Sequence, residues 1–372
     1  MILTYRYRLL PSKRQHAALT RILEDQRQLY NAALEERIGC YRATGKGRAY
    51  VDQTKALTIC RRDLPEMAAL PVTLQRWTLK RLDDAFAGFF HRVKARNGKA
   101  GVPRFRGKGW WESFGFIEFS GIQFDGKRLR FKGMPSGLSV HLHRPLPPHA
   151  DIRSCVLRRD RRGWHVCLAV AVEVAEKRAI AKMIGVDLGL KVFAYCSDGV
   201  IVANPQIARK AERRFRVKQR ALARCKRGSN RRRKVKARLA GLHRKIADTR
   251  ATWLHQRSAE MVKRADLIAV EDLNVKNMIR NPTLARSIAD ASWSKFLEML
   301  RYKAERAGAH LIRVDPRNTS QKCSGCGELV PKVLAARTHS CPHCGLVIDR
   351  DWNASLNILR AGIGPGLLNV MH

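Results

Sequence analysis

Acidic residues are scarce. The chain holds 31 Asp and Glu against 73 Lys and Arg, a formal net charge of +42 over 372 residues. No globular core requires that imbalance, and it destabilises a compact state through self-repulsion. A polyanionic partner that neutralises it is the economical explanation. The basic residues spread along the whole chain instead of flanking an apolar anchor, which favours nucleic acid over a membrane surface. Long apolar runs are missing too: no stretch reaches the roughly 18 residues of a spanning helix. The opening "MILTYRYRLLPSKRQ" has no apolar signal core and no small-residue cleavage site. The expectation is therefore a cytoplasmic protein with no membrane partner, nucleoid-associated in a prokaryote.

Cysteines with a partner spacing are few. Cys40, Cys60, Cys155, Cys167, Cys196 and Cys225 lie scattered, and read as reduced thiols acting as small buried hydrophobes. No segment reads as a helix-turn-helix, a Cys2His2 finger or a homeodomain. The "GKG" turns at 45–47 and 107–109 are too short to be phosphate loops.

What is present begins with "ILTYRYRLL", whose alternation predicts a strand that Pro11 and Ser12 end as a helix opens toward about Arg42. Apolar residues return at helical spacing from Val72 to Val93. Between Phe116 and Val174 the patterns are strand-like, as in "RLRFKG" and "GWHVCLAVAVEV". A β-barrel-like module built from the first strand and this block follows. At Ile184 the composition shifts, with "IGVDLGLKVFAYCSDGVIVAN" reading as a strand and a hairpin partner. Arg209–Arg250 then carries 19 Lys or Arg, opposed by Glu212 and Asp248 alone. Such runs are often disordered, but Leu239, Leu242, Ile246 and Trp253 keep a helical spacing, so at least the second half is an amphipathic helix. "ADLIAVEDLNV" is a buried strand ending in acids, "SWSKFLEMLRYKAERAG" a helix closed by Gly308, and "AHLIRVDP" another strand. This order predicts an α/β domain with a small insertion near its end.

Cys323, Cys326, Cys341 and Cys344 form two Cys-x-x-Cys pairs separated by 14 residues, each followed by a glycine (Gly327, Gly345). The spacing suits two knuckles holding one tetrahedral ion. Four thiolates select zinc and leave no open position, so the site is expected to be structural. Three carboxylates make a second group: Asp187 ends "IGVD", Glu271 ends "LIAVE", and Asp351 begins the last helix. Acids at strand ends and a helix start can meet at one sheet edge. Once together they need cations to stay ionised, and two divalent metals could then clamp both attacking and leaving oxygens of a phosphodiester. Each acid alone also fits an ordinary surface residue or a helix N-cap.

"GVDLGLKVFAYCSDG", "IAVEDLNVKNM", "SIADASW", "TSQKCSGCG", "CPHCG" and "DRDWNASLNIL", in this order, closely resemble the TnpB (OrfB) family encoded by insertion sequences, relatives of type V CRISPR effectors. "YRLLPSKRQ", "YNAAL" and "PRFR" add less specific support, so the resemblance spans nearly the whole chain. It implies a multi-domain α+β protein with a RuvC-like, RNase H-type α/β nuclease domain (177–316 and 349–372). A zinc ribbon (317–348) is inserted in that domain. A β-barrel wedge domain (1–10 and 113–176) carries a helical recognition domain (11–112). The resemblance makes Asp187, Glu271 and Asp351 the catalytic acids holding Mg²⁺, for which Mn²⁺ can substitute, with Asp349 a non-catalytic neighbour. The ribbon's exit strand would deliver Asp351 to the site. Arg350 and Asn353 are then candidates for positioning a phosphate and the metal cluster, and a solvated helix start fits them equally well. By position Tyr50, Thr54 and Gln75 resemble residues that read the short transposon-adjacent motif, Gln75 being suited to a bidentate adenine contact. A structural role fits each of these three equally well.

The activity so implied is an RNA-guided, metal-dependent DNA endonuclease. Its partners would be a guide RNA from the element's end and double-stranded target DNA, and the protein would be monomeric. Rivals are a nuclease-independent repressor or transposition regulator, an RNA-independent resolvase or transposase, and a ribosome-associated zinc protein. The intact acid triad weighs against the first and last, and the size of the charge against the second.

Overall fold

The computed structural model describes residues 1–95, 100–333 and 336–368. The chain divides into two compact units, Met1–Glu173 and Val174–His372.

The first unit begins with β1 (Ile2–Leu10), which sends Tyr5, Tyr7 and Leu9 inward and Arg6 and Arg8 outward. Ser12 then caps α1 (Lys13–Thr44) in a reciprocal box with Gln15, and Gly45 closes that helix in the left-handed conformation. Three more helices follow: α2 (Tyr50–Asp63), α3 (Pro65–Ala68) and α4 (Val72–Lys94). The chain then returns to the sheet through β2 (Ser113–Phe116), β3 (Ile122–Phe124), β4 (Arg128–Phe131), β5 (Leu138–His141), β6 (Asp151–Asp160) and β7 (Gly163–Ala171). The order is β2-β6-β7-β1-β5-β4-β3, antiparallel throughout, so the first strand sits at its centre. The sheet curls strongly. Phe114 and Phe116 of β2 pack on Phe131 of β4, at ring distances of 6.3 and 5.1 Å, although four strands separate them in the sheet order. The expected barrel-like module is this sheet, and the four helices share its core.

The second unit is built on β8 (Met183–Leu188), β9 (Val192–Cys196) and β10 (Ile201–Ala203), followed by α5 (Ile207–Ala223) and α6 (Asn230–Arg264). Next come β11 (Leu267–Glu271), α7 (Val275–Met278), α8 (Ala285–Ala291), α9 (Trp293–Ala307) and β12 (His310–Val314). The sheet order is β10-β9-β8-β11-β12: an antiparallel meander, then two parallel neighbours. That is the RNase H-type arrangement expected. The small hairpin of β13 (Thr338–Ser340) and β14 (Val347–Asp349) lies between β12 and α10 (Arg350–Leu368), so the cysteine module is an insertion before the last helix.

The basic run is helical on both sides of a turn at 224–229. It forms a helical hairpin in which Phe215 of α5 meets His243 of α6 edge-on at 4.3 Å. No residue of α5 is buried, and α6 buries side chains only from Leu254 onward, where it packs on α9. Leu239, Leu242, Ile246 and Trp253 are therefore a half-covered seam and not a core stripe.

Candidate active site and metal centre

β8 and β11 run parallel with Val186 opposite Val270, so Asp187 and Glu271 are the next residues at the same end of neighbouring strands. Alternation puts Gly185 and Asp187 on one face of β8, and Ala269 and Glu271 on the same face of β11. α10 lies against that face. A Cβ on Gly185 would sit 2.1 Å from the Ser355 carbonyl oxygen and 2.6 Å from the Leu359 nitrogen, so only glycine lets the helix backbone approach. Farther along, a Cβ on Gly362 would meet the Ala269 methyl at 2.6 Å. This contact places the first turn of α10, with Asp351, beside the two strand-end acids.

The N-cap role falls to Asp349, whose Oδ1 accepts from the backbone N–H of Asp351 (2.8 Å) and Trp352 (3.2 Å). Asp351 is thereby free of capping. Burial, then the charges of Glu271 and Asp351, push the Asp187 carboxyl up to about 8, with Arg350 opposing them. Burial also raises Glu271, and the Thr319 hydroxyl that donates to its Oε1 at 2.6 Å counters this. Arg350 donates to Asp351 Oδ1 from Nε (3.2 Å) and Nη2 (3.1 Å), and Arg337 lies 3.7 Å from Oδ2. The structure thus brings the three acids into one electrostatic cluster. The site is short of positive charge, and its all-oxygen donor set suits a hard divalent cation.

Among the described residues, the four cysteines alone bring their ligand atoms within 4.8 Å of one another; the carboxylates converge more loosely. Cys323 and Cys344 sulfurs are 3.6 Å apart, as are those of Cys326 and Cys341. Burial would raise the Cys323 thiol, but donated backbone N–H groups of Cys326 and Gly325 hold it down, at about 5. A preformed set of four sulfurs with N–H donors fits a tetrahedral zinc ion.

Sequence reasoning missed how this module is tied to the acids. Asn353 is fully buried; its Oδ1 accepts from Ser324 N–H (2.9 Å) and its Nδ2 donates to the Lys322 carbonyl (2.7 Å). Asn357 donates to the carbonyls of Thr319 (2.9 Å) and Lys322 (2.7 Å). Two side chains one turn apart on α10 thus clasp the entry to the first cysteine knuckle. Asn353 is neither a phosphate contact nor part of a solvated helix start: both ends of its amide are spent on the ribbon. Nothing in the spacing of "TSQK" marked Thr319 as a donor to Glu271.

Gln75 lies on α4. It is buried, its Oε1 accepts from Arg61, and its Nε2 donates to the Met67 carbonyl at 2.9 Å. Both polar atoms of the Gln75 amide thus have partners within the fold. Tyr50 opens α2, half-buried, with Lys80 5.8 Å from its ring centre. Thr54 is half-buried and donates to the Val51 carbonyl at 2.8 Å.

A family model described as "Cas12f1-like, TNB domain" matches residues 293–358, and one described as "Probable transposase" matches 165–282. A third, described as "Helix-turn-helix domain", matches 1–46. This last match overturns the expectation that no segment resembles such a domain, although residues 1–46 here hold β1 and one uninterrupted helix. A protein of Streptomyces pristinaespiralis named "Putative RNA-guided DNA endonuclease" is 31% identical over 96% of this chain and 89% of its own length. "Putative RNA-guided DNA endonuclease InsQ" of Escherichia coli K12 is 26% identical over 96% and 92%. Residues of a Cas12f1–sgRNA–target DNA complex superpose with a TM-score of 0.61 at 13% identity, covering 94% of this chain and 83% of that one, which is a likeness of fold. With the acids, the cysteine insertion and the sheet order all in register with the quoted motifs, the chain belongs to the TnpB (OrfB) family of insertion-sequence proteins.

Proposed function

We propose that this chain is an RNA-guided, metal-dependent DNA endonuclease of a transposable element. It cuts DNA matched to a bound guide RNA, beside a short adjacent motif. The observation that carries the reading is the meeting of Asp187, Glu271 and Asp351 at one end of the sheet, within a chain of net charge +42 whose relatives bear that name.

Asp187, Glu271 and Asp351 would hold Mg²⁺, with Mn²⁺ as a substitute. When bound, the metal supplies charge for the phosphodiester oxygens and an activated water. The chain's own groups do the rest. Thr319 holds the Glu271 carboxylate by a hydrogen bond, and Asp349 caps α10, which leaves the Asp351 carboxylate free of that role. Arg350, already against Asp351, is suited to bind the scissile phosphate. Water attacks phosphorus in line and the P–O3′ bond breaks, leaving a 3′-hydroxyl and a 5′-phosphate. One such site would cut the two strands in turn. The four cysteines would hold zinc as a structural ion.

The partners are a guide RNA and double-stranded target DNA, read in part by Tyr50 and Thr54, with the protein a monomer in the cytoplasm at the nucleoid. The test is purification from a host carrying the element's flanking DNA, sequencing of co-purified RNA, and cleavage of matched duplexes. Changing the guide segment should redirect cutting. Site-specific cleavage by RNA-free protein would overturn the reading and favour a resolvase or transposase.

A further inference from the structure

The first unit holds a cationic and aromatic cluster that the cleavage reading does not use. Arg81 of α4 lies half-buried between two indoles, its guanidinium 4.3 Å from the Trp111 ring centre and 5.3 Å from that of Trp77. Its hydrogen bond goes to a neutral group, the Ser113 hydroxyl at 3.2 Å. Arg106 lies over the Tyr30 ring at 5.6 Å. Among the described residues neither arginine has a carboxylate partner, in a unit where many other arginines do. The buried Tyr30 hydroxyl and Trp111 indole N–H likewise find no partner there. The cluster is rich in donors and short of acceptors. Burial, then repulsion from Arg106 and Arg158, depresses the Arg81 pKa.

The segment carrying Arg106 is irregular yet fixed. Asn31 of α1 accepts from the Arg106 N–H (2.8 Å) and donates to its carbonyl (3.0 Å), and Arg27 donates to the same carbonyl at 2.9 Å. A turn follows, closed by Trp110 N–H on the Gly107 carbonyl at 3.1 Å, with Gly109 at a φ of 81°. A Cβ on Gly107 would crowd the Trp110 ring at 3.3 Å, so the turn seats the indole against bare backbone. Trp110 is 81% exposed. A hydrogen-bonded turn thus holds a tryptophan in water, next in sequence to the residue that stacks on Arg81.

We propose that Arg81, Arg106 and Trp110 form a site for one or two unpaired nucleotides of the bound RNA, the guanidinium groups taking phosphate and the indole stacking on a base. Planar guanidinium groups suit phosphate, and an exposed indole accepts any base face. Self-repelling cations call for a resident polyanion, which the guide RNA is and a transient DNA target is not. The inference rests on the reading of the chain as an RNA-binding nuclease.

The test uses the full chain, labelled copies of its co-purified RNA, and the exposed residue, whose replacement leaves the core intact. Trp110→Ala should weaken RNA binding about tenfold, while Trp110→Phe keeps most of the affinity. Indole fluorescence quenching on RNA binding should shrink in Trp110→Phe. Arg106→Ala should lower the slope of log affinity against log salt by about 0.7. Wild-type RNA affinity in Trp110→Ala overturns the site alone. A loss confined to DNA capture by RNA-saturated protein also overturns it and makes the ligand DNA. If the wild-type protein binds no RNA, this proposal and the guided-nuclease reading fall together.

Discussion

Thr319 donates its hydroxyl hydrogen to Glu271 at 2.6 Å, and the same residue's carbonyl accepts from Asn357 of α10. A single threonine therefore joins the strand-end acid, the last helix and the chain leading into the cysteine module. Thr319→Val should leave the fold standing and slow cleavage at saturating metal, because the Glu271 carboxylate loses the hydrogen bond that holds it. Thr319→Ser should restore the rate. Equal rates for Val and wild type would remove Thr319 from the site.

Asp187→Ala, Glu271→Ala and Asp351→Ala should each lower cleavage at least a hundredfold, on the order expected for loss of a metal-clamping group. RNA and DNA binding should stay nearly unchanged. Withholding magnesium should act as the substitutions do. Single-turnover cleavage beside a binding assay decides this, and a variant that cuts at the wild-type rate removes that residue.

Protonation of Asp187 gives a signed pH effect. Its carboxyl titrates near 3.8 when unfolded and about 8 in the fold, so across that window the folded state holds the extra proton. Without added divalent metal, stability should fall as pH rises from about 5 to 8. Glu271, also raised, adds in the same direction. Asp187→Asn should flatten the dependence, and so should magnesium. Thermal melts across pH check it, and a wild-type protein that gains stability over this window contradicts the assignment.

Asn353→Ala leaves the Ser324 N–H and the Lys322 carbonyl with fewer partners in a buried place, a cost of about 3 kcal/mol. The melt should drop by several degrees with zinc still bound. Cys341→Ser should instead lose stoichiometric zinc and most cleavage, because the ribbon's fold depends on the ion. Elemental analysis separates the two cases.

Asp290 of α8 caps a helix that is not its own. Its carboxylate accepts from the Ala208 N–H at 3.0 Å and pairs with Arg250 of α6 at 2.7 Å, while Gln206 at the start of α5 supplies no cap. Asp290→Ala should speed hydrogen exchange at the first turn of α5. Asp290→Asn, which keeps a capping oxygen and loses the charge, should fall between. Unchanged exchange in both would show that the hairpin base is held elsewhere.

Much of this molecule is legible in its sequence. Period-2 alternation in "ILTYRYRLL" marks a strand because one face has to be dry, and Pro11 with Ser12 marks where it ends and a helix opens; the reciprocal box of Ser12 with Gln15 comes from the structure. Two Cys-x-x-Cys pairs announced their ion because thiolate spacing is local chemistry. Other features depend on groups far apart in the chain. The meeting of Asp187, Glu271 and Asp351 depends on strand order and on the bare Cα of Gly185, neither of which has a local signature. The residue type of Gln75 fits a base contact and a structural role equally, and only the fold shows its amide facing Arg61 and Met67; Asn353 fits a solvated helix start until the fold closes it on Lys322 and Ser324. Which way a polar side chain turns is decided by whatever unpaired backbone group the fold brings to it, and only the tertiary structure supplies that group.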